Sequence, residues 1–410
     1  MKGVLAMKKT TSLISILLVI CITLSSCAGK GFRAVAVADG IDMSNFTNTV
    51  GVPEELRPYY SKTTEYMLAN DSDNVVFSPV GAYTVLAMLA ECVKGESRQQ
   101  ILSAFSDISL NDSRDLATSL IYTTSDGAHM AQSIWLPDNY RYNKDVLKHL
   151  TDSYDTSVYE GAYGSPEMLD AVKAWMKDNT LDSLDGMIEG FEFSANSEML
   201  VLNALSFNDE WHKPFDPQKT KTAPFYAKDG EVSAEFMNAE CELEYKETEN
   251  FTCVSIPLKK GGRMTFMLPA EEKMLSEVLS DEYARQALRY MPFCEDEGEC
   301  TLSIPKFDIT QNNDLIGMAK ALGVDKIFDD PDFLAFSEDL EGTFVKNFSQ
   351  MINVSIDEEG VEASSVTILE GAYKGEPDFV KSFVFNRPFA FSIFNASGTP
   401  IFMGTVNNPS

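Results

Sequence analysis

Residues 357–367 read DEEGVEASSVT, and the alternation after the glycine most constrains what this chain can fold into. From Val361 onward every second residue, Val361, Ala363, Ser365, Thr367 and Leu369, is small or apolar, whereas Glu362 and Glu370 fall on the opposite side. One face of such a strand suits burial. No proline falls between Gly360 and Gly375 to bar the run from a sheet interior. The residues that follow, EGAYKGEPD at 370–378, are polar and turn-forming. The segment therefore fits two placements, an exposed loop and a central strand.

The first residues read as an export signal. Lys8 and Lys9 precede an apolar stretch at 13–24, too short to span a bilayer comfortably. The stretch ends in Leu24-Ser25-Ser26-Cys27, which resembles the lipobox of bacterial lipoproteins, cut before the cysteine and acylated on it. Residues 1–26 are expected to be removed as a signal peptide, Cys27 to carry lipid, and residues 27–50 to form a surface tether. Ordinary secretion with Cys27 incidental is the alternative. The expected location is secreted, at the cell surface or outer membrane, with the lipid as the only membrane contact.

The formal net charge is −29 over 410 residues. Loss of Lys2, Lys8 and Lys9 with the signal makes the mature chain about three charges more negative. Such a surface repels nucleic acid, polyanionic glycans and anionic lipid. Beyond Cys21 and Cys27 five cysteines remain, Cys92, Cys241, Cys253, Cys294 and Cys300, so at least one thiol stays unpaired. Cys294 could pair with Cys300 across the acidic turn between them, and Cys241 with Cys253; the spacing decides neither. There is no C-x-x-C or Cys/His ligand spacing, so neither a metal nor a cofactor is expected.

The sequence contains no G-x-S-x-G, H-E-x-x-H, Walker loop or G-x-G-x-x-G. Its three histidines, His129, His149 and His212, read as structural. Helical periodicity runs over 54–70, 81–93, 96–105, 144–154, 166–180, 274–290 and 314–322. Strand-like runs fall at 128–136, 198–207, 251–257, 264–268, 301–309, 351–356, 380–385, 389–394 and 401–406. Helices come early, strands cluster late and no βαβ rhythm dominates, which points to an α+β fold with sizeable antiparallel sheets.

A set of motifs in one order resembles the serpin family. They are NVVFSPV at 74–80 with LAML at 86–89, NALSFNDEW at 203–211, IPLKKGGRMTFMLP at 256–269, IPKF at 304–307, LGV at 322–324, FNRPF at 385–389 and FMGTVNNP at 402–409. The resemblance covers nearly the whole mature chain. It implies one domain over 51–410 with three β-sheets, about nine helices and an exposed reactive-centre loop at about 358–380. It implies a monomeric inhibitor whose partner is a serine protease. The protease attacks the loop, is held as an acyl-enzyme, and is trapped when the cleaved loop enters the main sheet as a new strand. The alternative is a non-inhibitory, surface-binding lipoprotein on the same scaffold.

Residue by residue, Glu358, Glu359, Gly360, Val361, Glu362, Ala363, Ser364, Ser365, Val366 and Thr367 match the family's inhibitory hinge. The family's usual register puts the reactive bond at Lys374-Gly375, which suits trypsin-like proteases, with Tyr373 as the rival position. Ser78, Asn203 and Trp211 match the region where the sheet opens. Gly81 and Gln350 depart from it, standing where the family usually has a second serine and a histidine. A glutamine can still both donate and accept there.

Overall fold

The computed structural model describes residues 32–36, 50–69, 72–124, 128–180, 184–192, 199–361 and 381–410. Three sheets organise them. The first runs β1 (Phe32–Ala36), β4 (Thr156–Gly161), β3 (Ala128–Pro137), β5 (Leu200–Phe207). Its β3–β4 pair is parallel and the other pairs are antiparallel. The second runs β12 (Phe307–Asp314), β13 (Ser349–Ile356), β14 (Gly360–Val361), β6 (Asp209–Glu210), antiparallel throughout.

The third sheet begins with β15 (Lys381–Val384), β11 (Asp296–Pro305) and β8 (Gly230–Glu247), with β7 (Lys221–Ala227) folded onto β8 as a hairpin. It continues through β9 (Phe251–Pro257), β10 (Arg263–Pro269), β16 (Phe389–Phe394), β17 (Pro400–Val406) and β2 (Val75–Phe77).

Ten α-helices surround the sheets among the described residues: α1 (Arg57–Met67), α2 (Pro79–Cys92), α3 (Gly95–Ala104), α4 (Leu110–Thr124), α5 (Lys144–Tyr154), α6 (Pro166–Asn179), α7 (Asp185–Glu189), α8 (Leu275–Leu279), α9 (Glu282–Gln286) and α10 (Ile316–Ala321). Every residue of α2 is buried, which its apolar sequence allows on all faces. Its start is fixed by Ser78, an extended residue whose Oγ accepts from Gly81 N at 3.1 Å, and by Pro79 in the first turn. α5 and α6 use the same device, with Asn143 and Ser165 as caps. Around α2 the rings of Tyr59, Tyr83 and Phe105 pack edge to face at centroid distances of 4.6–5.9 Å.

Four expectations change. The helix expected over 274–290 is two short helices, α8 and α9, because Asp281 takes up a cap, accepting from Tyr283 N, and starts a new one. The single strand expected over 301–309 is two strands in different sheets, since the chain turns at Lys306 between Pro305 and Phe307. The β7–β8 hairpin and α4 carry no signal in an apolar scan, because β8 alternates glutamates with its buried residues. Within the expected tether, Phe32–Ala36 adds an edge strand to the first sheet, and Arg33 Nε bonds the buried Glu160 carboxylate at 2.6 Å.

The cysteines also meet differently. In the β8–β11 register Cys241 lies directly opposite Cys300, and Cys253 neighbours Cys294. Neither pairing suggested by sequence distance is the one the fold brings together, because strand register, not separation along the chain, sets the neighbours.

Candidate functional site

β5 and β13 lie side by side with no hydrogen-bonded rung between them among the described residues. At the top of this seam the chain turns at Asp357, whose Oδ1 accepts from Glu359 N at 2.8 Å and Gly360 N at 3.2 Å. Gly360 and Val361 then enter between two strands. Val361 is opposite Ile356 of β13 on one side and Asp209 of β6 on the other. It is 1% exposed. Gly360 is required by crowding: a Cβ there would stand 2.3 Å from Asp209 O and 2.6 Å from Glu210 Cα, both backbone atoms that cannot yield. Since β14 is antiparallel to both neighbours, β13 and β6 are parallel to each other, the geometry a strand entering between them needs.

Side chains hold this turn in place. Trp211, 1% exposed, donates from Nε1 to Asp357 O at 2.8 Å, and its backbone N donates to Glu359 O at 2.9 Å. Phe215 packs against the indole at 5.8 Å and its N donates to Glu358 O. The Glu358 carboxylate is buried, with Lys306 Nζ at 2.8 Å and Thr220 Oγ1 donating at 2.6 Å. Burial alone would raise its pKa, but the bonds from Lys306 and Thr220 outweigh it and hold Glu358 below the usual carboxylate range.

A depressed folded-state pKa means stability present above the ordinary glutamate value and lost as pH falls through the lowered one. Glu358→Gln should therefore lower the melting temperature at pH 7, and the gap from wild type should close as pH falls below about 4. Thermal melts of both proteins across that range check it; a gap independent of pH contradicts it.

Lower in the seam Gln350 clamps the start of α2. Its Oε1 accepts from Ser78 N at 2.8 Å while its Nε2 donates to Ser78 O at 3.1 Å. Gln311 and Asn313 of β12 extend the pattern, bonding Val76 N at 2.8 Å and Val76 O at 2.6 Å. Side-chain amides thus satisfy the free edge of β2. Gly81 lets its neighbours approach closely here: a Cβ would lie 2.7 Å from Asn203 Oδ1 and 2.9 Å from Gln350 Nε2, too near for either to stay in place. Both amide atoms of Asn203 are buried without a hydrogen-bond partner. The residues border a cavity of ≈ 280 Å³ that also meets Trp175 and Phe344. Gln350→Ala strands the backbone N–H of the buried Ser78, whose carbonyl keeps its bond from Ala82 N, and should cost about 1–3 kcal/mol of stability, read by denaturant unfolding.

The structure brings together Gly81, Asn203 and Gln350 around one cavity, with Ser78 bonded to Gln350 beside it, and Trp211 with Glu358, Glu359, Gly360 and Val361 above it. Glu362 to Thr367, the bond Lys374-Gly375, Tyr373 and Cys27 lie outside the described residues. Sequence reading missed Lys306, Thr220, Asp209, Gln311 and Asn313, whose partners sit dozens to hundreds of positions away in the chain. Two of the histidines meet polar partners: His149 Nδ1 lies 3.5 Å from Glu91, which Arg114 already binds bidentately, and His129 meets Asn179.

The family Serpin (serine protease inhibitor) matches residues 62–409. The chain is 26% identical over 372 residues to alpha-1-antiproteinase S of Cavia porcellus, covering 83% of this chain and 86% of that one. It is 23% identical over 358 residues to an uncharacterized serpin-like protein of Methanosarcina acetivorans, covering 84% and 83%. Among solved structures it resembles the thermophilic serpin tengpin in the native state, at TM-score 0.76 and 24% identity, covering 92% of this chain and 100% of that one. It also resembles thyroxine-binding globulin in complex with thyroxine, at TM-score 0.74 and 20% identity, covering 86% and 99%. The chain belongs to the serpin family and has the three-sheet serpin fold. Serpins are in general inhibitors of serine proteases rather than enzymes.

Proposed function

We propose that this serpin inhibits trypsin-like serine proteases by loop cleavage, acyl-enzyme trapping and insertion of the cleaved loop between β5 and β13. One observation carries the reading: Gly360 and Val361 already occupy the mouth of an unpaired seam, bonded on both sides. Continued without a bulge, the Val361 register would set Ala363 opposite Val354 and Phe207, Ser365 opposite Ile352 and Leu205, and Thr367 opposite Gln350 and Asn203. The small residues would thus follow the buried row, and Thr367 would bring a hydroxyl to the unpartnered amide of Asn203.

The chemistry is that of a stalled acyl transfer. The protease serine attacks the carbonyl of Lys374, the Lys374-Gly375 bond breaks, and the new α-amine leaves with the fragment beginning at Gly375. The acyl ester then waits for water while the freed strand zips into the seam, and insertion faster than hydrolysis leaves a covalent complex. A lysine at this position suits an acidic primary pocket. Export and lipid anchoring at Cys27 rest on Leu24-Ser25-Ser26-Cys27 after the apolar stretch.

Incubation with trypsin should yield a band stable to denaturing electrophoresis, and mass spectrometry should find a released fragment starting at Gly375 and a mature chain starting at an acylated Cys27. A fragment starting at Lys374 moves the bond to Tyr373. Clean cleavage without a covalent band overturns inhibition in favour of a binding protein, and an unmodified Cys27 overturns the anchor.

A further inference from the structure

We propose that Cys241 and Cys300 form a disulfide, a redox staple across the sheet that anchors the far end of the reactive loop. The two residues are directly opposite on the antiparallel strands β8 and β11, so their side chains share a face. Opposed Cα atoms in an antiparallel pair stand about 4.5 or 5.5 Å apart, depending on pair type, and both values lie within the span a disulfide bridges. The next rung is what makes the pair consequential. Cys300 is also opposite Lys381 of β15, the strand on which the chain returns after residues 362–380. Joining Cys241 to Cys300 therefore ties β11 into the sheet at the point where β15 hangs from it.

Access is unequal, and the order of reaction follows from it. Among the described residues Cys241 alone of the cysteines is not fully buried, whereas Cys300 is 1% exposed and donates its thiol hydrogen to Gly298 O at 3.2 Å. Cys241 is the entry point and Cys300 the resolving thiol. The Cys241 thiolate attacks a low-molecular-weight disulfide such as oxidised glutathione, forming a mixed disulfide and releasing one thiol. Cys300 Sγ, giving its proton to solvent, then attacks Cys241 Sγ and expels the second thiol. The two cysteines lose two electrons, and the small disulfide is reduced to two thiols that carry away the protons.

Both steps are slow at neutral pH. Burial pushes the Cys241 thiol up to about 11, Cys300 and Glu299 reinforcing it and Lys213 opposing. Burial raises Cys300 too, with Lys381 opposing and Glu299 and Glu247 reinforcing. Thiolate is scarce until the solution is alkaline, so exchange is best driven at about pH 9.

The test is oxidation of the reduced full chain by oxidised glutathione, then alkylation and peptide mapping without reductant. A linked peptide pair containing Cys241 and Cys300, with a melting temperature raised by a few degrees, is expected. Cys241→Ser should lose both the link and the rise, while Cys92→Ser keeps both. Full alkylation of both thiols after oxidation, a glutathione adduct that persists on Cys241, or Cys300 linked to another cysteine would each overturn the proposal. The mapping on the wild-type chain decides even if the variant fails to fold.

Discussion

Replacing Val361 with glutamate should abolish the covalent complex with a trypsin-like protease and leave the loop cut as an ordinary substrate. Val361 is almost wholly buried, and the residue across from it on β6 is Asp209, itself 2% exposed. A glutamate there is desolvated and faces a second carboxyl directly opposite, the worst arrangement for a charge on an antiparallel rung. Leaving a buried charge without compensation costs about 3–5 kcal/mol. A glutamate is therefore driven out of the mouth of the seam, so the cost falls on the first step of insertion and slows entry by roughly 10²–10⁴-fold, since each 1.4 kcal/mol is a factor of ten.

Hydrolysis of the acyl bond is untouched by the change and wins the competition. Arginine at the same position should do less damage, because Asp209 offers it a partner. Complex yield on denaturing gels, compared for wild type, V361E and V361R, reads the order directly. Equal yields for all three would mean that Val361 does not lead the inserting strand.

Cleavage of the loop by a protease that is not trapped should raise the melting temperature by roughly 20 °C or more. In the intact protein the facing edges of β5 and β13 are unpaired with one another, and the cavity beside them holds the unpartnered Asn203 amide. A strand filling the seam adds backbone hydrogen bonds on both sides, each worth about 1 kcal/mol net, for a gain on the order of 10–20 kcal/mol. That gain is large beside the 5–15 kcal/mol by which whole domains are stable. Calorimetry of the intact and cleaved forms measures it. Identical melting temperatures would exclude insertion as the end state.

The order of motifs along the chain was enough to read the family and, with it, the three-sheet α+β fold, because each motif is a local pattern. Ser78 before Pro79 marks the start of α2, and β16 and β17 lie within a residue of their expected spans, since capping and continuous burial are written in adjacent residues. Other features depend on partners that no local pattern names. Glu358 read as a hinge residue, but that its carboxylate is buried and paired showed only when Lys306 and Thr220 closed around it from distant parts of the chain.

Gln350 showed its capacity to donate and accept in the sequence, but only the approach of β13 to Ser78 determined that it does both with one backbone unit. Gly81 read as a departure from a family pattern, and the packing gave the reason, since Asn203 and Gln350 approach it too closely for a Cβ. The cysteines divide the same way: their number was legible, while the facing of Cys241 and Cys300, more than fifty residues apart in sequence, came from the register of two strands. What lies within about one turn or one strand length is set by the chain's own backbone preferences. What spans the sheets exists only once burial has brought distant edges together and left each polar group to find the partner that happens to face it.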